Sequence, residues 1–588
     1  MKVKLAIATA AAAGVALVLA LELGGHHAAS AVARSPQQQP PRPNVLVIET
    51  DDQTQASMPV MPNTQQLIGG QGTTFANNFV NYSLCCPSRA TFLTGQYSHN
   101  TGVRDNQPPN GGFDKLNSNN TLPLWLQGAG YYTGLIGKYL NGYEAHKADP
   151  GGPLIPPGWS EFHGSTVTYD YYGYQLNESG VLNTYGSLND NPDNPPDPSL
   201  YSTDVYTAKA VDFINRRAPS NQPFFLWLTY LAPHGGGPNP PGGNHCEGTA
   251  KPAPRDLHAN DSTPLPQPPS FNEADVSDKP PNISSRNLDA ADIADITRFY
   301  RCRLSSLLAE DAGVKQLIDT LSASGELDNT LVVFTSDNGF MHGEHRVKSG
   351  KVVPYEESIR VPLLIRGPGF SGGRTVRDLS INADLAPTIL QATGAQAGLR
   401  VDGMPLQGMA AKPGRELGRE LSIEGGGYEG VRTARYIYIE YTGGQNNGFT
   451  ELYDLQADPY ELQNVASSPA YAAVRSALAA RLANVRSCSG DACRALPGLR
   501  VKLRKRKGPH GCARRPVKAR VKGTDRSNVA QAEFFVNGRH FATDRRRPFL
   551  RKLPYGKLKR KRHSTVRLLV DLLDGREMTI DQHVRACR

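Results

Sequence analysis

Four segments of the chain share one pattern, an unbroken apolar run that ends in groups able to bind ions or move protons. "NVLVIETDD" ends at Asp51 and Asp52, "YYTGLIGK" at Lys138, "PFFLWLTYLAPH" at His234, and "TLVVFTSDN" at Asp337 and Asn338. Runs of this length and continuity suit strands buried on both faces of a parallel sheet. Helical patterning lies between them, as over Leu288 to Leu321. That alternation predicts a doubly wound α/β domain. Ligands of such sheets bind beyond the carboxyl ends of the strands, so the four polar termini are expected along one edge. A single Asp or Asn after a strand is ordinary turn chemistry. Three carboxylates, an amide, a lysine and a histidine on four strand ends exceed what turns need. Asp51, Asp52, Asp337 and Asn338 offer only oxygen, which suits Ca²⁺ or Mg²⁺ and not zinc. A hard cation beside Lys138 and His234 makes a site for an oxyanion substrate, where positive charge stabilises the negative charge that develops during reaction.

The 588 residues are enough for several domains. Lys2 and Lys4, an apolar stretch from Leu5 to Leu21, and small-residue sites at Ala29-Ser30-Ala31 and Ala31-Val32-Ala33 read as a cleaved export signal over residues 1–33. The alternative is an uncleaved membrane anchor, since the run is near the ~17-residue lower limit for a span. No other segment is apolar and long enough to span a bilayer. The expected location is therefore secreted or cell-wall associated, with no membrane contact after cleavage. Export makes disulfides plausible. Cys85 and Cys86 are adjacent, and a bond between them would close a strained ring. The other six cysteines leave several connectivities open. Proximity favours Cys488 with Cys493, closure of a terminal domain favours Cys512 with Cys587, and Cys246 with Cys302 remains. Charge is unevenly spread. Residues 486–588 carry 29 basic and 8 acidic side chains, a net of +21 against +10 for the whole chain, so the remainder is −11. An acidic body bears a strongly basic tail.

The segment Cys85-Cys86-Pro87-Ser88-Arg89, followed by Leu93-Thr94-Gly95, resembles the signature of type I sulfatases. The resemblance extends to "SDNGFMHGEHRVKSGKVVPYEESIRVPLLIRGPG" and "ELYDLQADPYELQNVA", covers roughly Asn44 to Val465, and is nearest to the N-acetylglucosamine-6-sulfatase branch, which shares CCPSR and a "GKYLN" segment. It implies an alkaline-phosphatase-like sheet and hydrolysis of sulfate esters of a sulfated sugar or glycosaminoglycan. It implies that a formylglycine-generating enzyme converts Cys85 to formylglycine, with Cys86 only filling the variable place. Asp51, Asp52, Asp337, Asn338 and the modified residue 85 would hold Ca²⁺, or Mg²⁺ in its place. Arg89 would orient the formylglycine, Lys138 and Lys351 would hold the sulfate, and His234 would protonate the leaving alcohol. One hydroxyl of the hydrated aldehyde would attack sulfur, and deprotonation of the other would release sulfate.

One departure bears on that last step. Many sulfatases carry a histidine two residues after the strand-end lysine, where this chain has Leu140 and then Asn141. His342 and His345 lie near the metal ligands in sequence and either serve as the base or brace their loop. Residues 235–286, rich in Pro, Gly and Asn, follow His234 directly and are either a lid or substrate wall or a disordered insertion. The expected organisation is a catalytic domain over 34–395, a small antiparallel-sheet subdomain over 396–485 that includes "RYIYIEY", a basic linker over 486–510, and a basic immunoglobulin-like β-sandwich over 511–588. The basic tail is expected to bind an anionic polymer. Two other readings stay open at this level. One is a phosphodiesterase or phosphonate monoester hydrolase of the same superfamily; the other is a glycan-binding protein whose cysteine is never converted.

Overall fold

The computed structural model describes residues 42–167, 169–186, 197–218, 220–236, 244–370, 372–559 and 563–587. The export signal expected over residues 1–33 lies outside them. Among the described residues no helix is long and apolar enough to cross a membrane.

The four apolar runs are neighbouring strands of one ten-stranded sheet, in the order Thr330–Ser336, Asn44–Thr50, Phe224–Thr229, Tyr132–Gly137. All four run parallel, with Val47 level with both Val333 and Trp227. Every residue of Asn44–Thr50 and Thr330–Ser336 is buried, for the reason the continuous runs suggested. Val45 and Val47 face one core layer with the helices Cys85–Thr94 and Leu385–Thr393. Leu46 and Ile48 face the other, with Ser202–Arg217 and the 34-residue helix Ala290–Ala323. Both faces are covered, as a doubly wound sheet requires. The long helix starts at Asp289, whose side chain accepts from the Asp292 amide in a reciprocal capping box.

A four-stranded antiparallel sheet, Leu421–Gly425, Tyr428–Arg432, Tyr436–Tyr441 and Thr450–Asp454, forms the small subdomain. The helix Ala472–Val485 packs against it through Leu478 and Leu482. Beyond it, a three-stranded sheet (Leu499–Lys507, Ala513–Gly523, Leu550–Lys552) and a four-stranded sheet (Arg539–Asp544, Val529–Val536, Ser564–Leu572, Glu577–Val584) share one core. The expected sandwich is thus present, but its first strand, Leu499–Lys507, occupies the stretch expected to be a basic linker. The dense charge hid an alternation. Leu499 and Val501 are buried while Arg500, Lys502 and Arg504 are exposed, so every second residue supplies the core that a strand needs.

The disulfides are Cys246–Cys302, Cys488–Cys493 and Cys512–Cys587, the three expected pairs; Cys85 and Cys86 are free. Within the Pro-rich segment, residues 244–286 are held against the loop that follows Asn338. Cys246 ties it to the long helix, the His345 amide donates to the Ser270 carbonyl at 2.7 Å, and the Asn272 amide to Gly343 at 2.9 Å. These contacts make it a brace.

The terminal sandwich docks on the subdomain through its last hairpin. The Thr579 amide donates to Glu416, and Arg435 to the Gly575 carbonyl. Arg576, 1% exposed, lies among Asp574 at 2.9 Å, Asp525 at 3.5 Å and Glu420 at 3.8 Å. Removing one partner of a buried ion cluster costs about 3–5 kcal/mol, because the remaining charges stay desolvated. Arg576→Met is expected to lower the thermal midpoint clearly and to leave turnover per folded molecule unchanged, measured by calorimetry and by active-fraction-corrected kinetics.

Candidate active site

The strand ends deliver their polar residues to one edge, and one arginine ties them together. Arg89 has no exposed surface. Its Nε donates to Asp337 at 2.9 Å and lies 3.8 Å from Glu49, its Nη2 approaches Asp51 at 3.4 Å, and its Nη1 donates to the Lys138 carbonyl at 3.0 Å. Glu49 also accepts from the Trp227 indole at 2.8 Å. Burial pushes the Glu49 carboxyl up to about 7, against the pull of Arg89. Burial alone would raise Asp51 too, but Lys138, His234, Arg89 and Lys351 together hold it well below the usual carboxylate range. Asp337 goes the other way, raised by burial and by the neighbouring Asp51 charge despite Arg89.

The backbone serves this placement. Gly137, at φ +107°, ends its strand where a Cβ would lie 1.9 Å from the Thr229 carbonyl, so only glycine lets Lys138 turn in beside its neighbour. Asp52 adopts φ +69°, uncommon for a residue with a side chain. Its amide donates to Asp337 at 3.1 Å and its carbonyl accepts from buried Arg303 at 2.6 Å, which holds the strained turn.

Cys85 is the first residue of the helix Cys85–Thr94, which Gly95 ends in a left-handed turn. Pro87 falls within the first turn, where it removes no helical hydrogen bond. Cys85 Sγ lies 2.8 Å from Lys351 Nζ and 3.4 Å from Asp51 Oδ1. Burial, then Asp51, pushes its thiol up to about 12, with Lys138 and Lys351 opposing. Cys86 instead faces the hydrophobic core. The register of the two cysteines is thus decided by the helix, with one side chain in the site and one in the packing.

Lys138 Nζ contacts Asp51, and Lys351 Nζ contacts Asp52 and sits 3.4 Å from Asn338 Oδ1. Asn338 Nδ2 donates to Asp52 at 2.6 Å. His234 Nε2 is 3.6 Å from Asp52, and its Nδ1 lies 2.6 Å from the Gly235 carbonyl. Burial lowers its pKa to about 4. With Nδ1–H given to Gly235, the neutral ring presents Nε2 as an acceptor.

Asp51, Asp52, Cys85 and His234 place one ligand atom each within 4.8 Å of one another. Asp337 stands behind this group on Arg89, and Asn338 beside it on Asp52. The carboxylate and amide oxygens fit a hard divalent cation. Other clusters of ligand type occur elsewhere, as at His345, Glu357 and Glu461.

Tyr169 was not anticipated. Its ring stacks on His234 at 4.7 Å and lies under Lys138 Nζ at 5.0 Å, and its hydroxyl accepts from Asn141 Nδ2 at 2.6 Å. The tyrosine-rich stretch around it carries no spacing that singles out one ring. Leu140, at the place where the sulfatase resemblance would put a histidine, is buried in the core. Of the two loop histidines, His345 pairs with Glu273 at 2.6 Å and lies against Tyr355, while His342 packs between Tyr300 and Phe340. Both rings are thus packed within the loop and the segments that support it.

Comparison with known proteins follows the same lines. The sulfatase family model matches residues 43–395, and the model for the C-terminal part of N-sulphoglucosamine sulphohydrolase matches residues 424–488. N-acetylglucosamine-6-sulfatase of Capra hircus is 32% identical over 80% of this chain and 89% of its own length. A homologue of the extracellular sulfatase Sulf-1 in Caenorhabditis elegans is 33% identical over 63% of this chain, which spans only about half (49%) of that protein. Among solved structures, one determined in complex with its substrate D-glucosamine-2-N,6-O-disulfate superposes with TM-score 0.60 and 25% identity over 76% of this chain and 97% of its own. The phosphonate monoester hydrolase of Agrobacterium radiobacter shares the fold, at TM-score 0.56 and 21% identity over 76% and 96%.

The two cysteines give the sharpest test of this geometry. Cys85→Ala is expected to abolish turnover of an aryl sulfate. Cys86→Ala removes one buried sulfur from the core, costs about 1–2 kcal/mol of stability, and keeps most of the turnover. Tyr169→Phe, which retains the stacked ring and deletes the hydroxyl, is expected to lower kcat by roughly 10-fold or less, against a larger loss for Tyr169→Ala. Steady-state kinetics with thermal melts checks all three.

Proposed function

The chain belongs to the sulfatase family, and from that premise we propose that it is an exported, metal-dependent sulfatase that removes sulfate from a sulfated sugar of the N-acetylglucosamine-6-sulfate type, using residue 85 as formylglycine. The observation that carries this reading is the position of Cys85. Alone of the two cysteines, it stands at a helix N-terminus against a lysine ammonium and a carboxylate. A helix N-terminus favours negative charge, as do the two lysines, and these oppose the burial and the Asp51 charge that keep the thiol protonated.

In its hydrated form the formylglycine would supply a hydroxyl nucleophile. A divalent ion held by Asp51, Asp52, Asp337, Asn338 and residue 85 would supply positive charge at the sulfate oxygens. The chain's own residues do the rest. Arg89 fixes the orientation of Asp51 and Asp337 and the path of the chain at Lys138. Lys351, which reaches residue 85, and Lys138, which reaches Asp51, neutralise the sulfate. His234 has Nε2 free of the backbone; to act as general acid on the leaving oxygen it must first take up a proton at Nε2, and the nearby Asp52 and Asp51 carboxylates favour that charged form. Tyr169 closes one wall over His234 and Lys138. Export is supported by the N-terminal signal pattern and by three disulfides, which form and persist in oxidising compartments.

Mass spectrometry of the peptide carrying residue 85, together with rates on paired aryl sulfate, phosphate and phosphonate esters, tests the proposal. Conversion of the thiol to an aldehyde and preference for the sulfate ester are expected. An unconverted cysteine with no turnover would mean a binding protein, and preference for the phosphonate would mean the hydrolase alternative. Chelation is expected to remove at least 10-fold of the activity, with Ca²⁺ or Mg²⁺ restoring it and Zn²⁺ failing to do so.

A further inference from the structure

The sheet that contains the unexpected strand has an unusual outer face. In the pairing of Leu499–Lys507 with Ala513–Gly523, Arg500 stands opposite Lys522, Lys502 opposite Arg520, and Arg504 opposite Lys518. Lys518 is in turn opposite Lys552 on the third strand, and past a bulge Arg506 faces Arg514. The alternate residues Val501, Val517, Ala519 and Val521 are buried, so these cations share the solvent side. The result is a grid of positive groups, spaced about 4.8 Å across strands and about 6.7 Å along them.

Like charges directly opposite one another destabilise a sheet. The strain registers at Lys522, whose proton affinity is lowered by Arg520 first and by Arg526, Lys502 and Arg504 as well. Four acids of the sandwich are engaged elsewhere. Asp544 pairs with Arg551, Asp581 with Arg567, and Asp525 and Asp574 with Arg576. Among the described residues, no carboxylate pairs with the grid.

We propose that this outer face is a docking surface for a sulfated polysaccharide, which holds the polymer while the catalytic edge works on it. Arginine forks match the paired oxygens of sulfate groups, and cations repeated along and across three paired strands suit an extended chain of repeating anions. The three strands carry no aromatic side chain on which a base could stack, which disfavours single-stranded nucleic acid. The remainder of the chain is −11, so it repels a polyanion, and the sandwich supplies the attraction the body lacks. The choice of a sulfated polymer over other polyanions rests on the sulfatase reading.

The test uses the full-length protein. The docked hairpin at Arg576 makes truncation a poor experiment, so point variants are preferred. One variant combines Lys502→Gln, Arg504→Gln, Lys518→Gln and Lys552→Gln. A charge-matched control combines Lys115→Gln, Lys147→Gln, Lys315→Gln and Lys412→Gln on the body. Each is run on immobilised heparin across a salt gradient, in competition with an oligonucleotide of equal charge, and on a small aryl sulfate. The sheet variant is expected to elute at lower salt, with the slope of log affinity against log salt reduced by roughly one per charge removed. It should keep wild-type turnover of the small ester and a thermal midpoint unchanged or higher. The body variant should elute like wild type, and heparin should outcompete the oligonucleotide. Unchanged elution of the sheet variant, an equal shift for the body variant, or better competition by the oligonucleotide would overturn the proposal. Heparin binding by a protein that turns over no aryl sulfate would instead sink the sulfatase reading while leaving a polyanion-binding face.

Discussion

A guanidinium sealed from water sits where the strand ends meet, and the site depends on it. Arg89 reaches Asp337, Asp51, Glu49 and the carbonyl of Lys138, which belong to three different strand ends. Buried carboxylates this close repel one another, and each costs several kcal/mol to desolvate unless paired. Glu49 shows the tension, with burial and its neighbours lifting it towards neutral pH. Arg89, Lys138 and Lys351 supply the opposing charge from the signature helix, a strand end and a loop. The catalytic edge is therefore an electrostatic knot whose members are distant in sequence and adjacent in space.

That knot explains why the signature helix carries its cysteine and arginine four residues apart. One turn separates them, so both project from the same end of the helix. Cys85 then lies over the carboxylates while Arg89 passes beneath them. Cys86, rotated by about 100°, enters the core. The strained backbone at Asp52 and the glycine at 137 are further consequences, because closely packed strand ends leave no room for ordinary turns.

Charge is divided between the two ends of the molecule with different purposes. At the site of the body, Arg89, Lys138 and Lys351 are sealed or nearly sealed from water and matched to carboxylates. In the terminal sandwich many cations are exposed and, among the described residues, the grid pairs with no carboxylate, while Arg576, Arg551 and Arg567 serve docking and local pairs. Buried pairing fixes geometry, whereas unpaired surface charge acts at a distance on other molecules. An acidic enzyme acting on an anionic substrate gains from carrying such a patch.

The sequence by itself determined the central sheet, its parallel sense and the edge at which function lies. Continuous apolar runs have no other stable place than between two helical layers, and the polar residues that end them can only collect at the strand ends. The Asp51–Asp52 and Asp337–Asn338 pairs, Lys138 and His234 were legible for that reason; Cys85 and Arg89 were legible only through the resemblance of their segment to the type I sulfatase signature. What only the tertiary structure decided were contacts that no local period encodes. Glu49 on Arg89, Tyr169 on His234, and Arg303 under Asp52 each join segments far apart in the chain. The strand Leu499–Lys507 was obscured because charge density outweighed its alternation, and its partner strands were needed to show which side chains are inside. The lysine and arginine runs were visible in one dimension, but their assembly into a single face followed from strand register, which is set by pairing between segments and not by either segment alone.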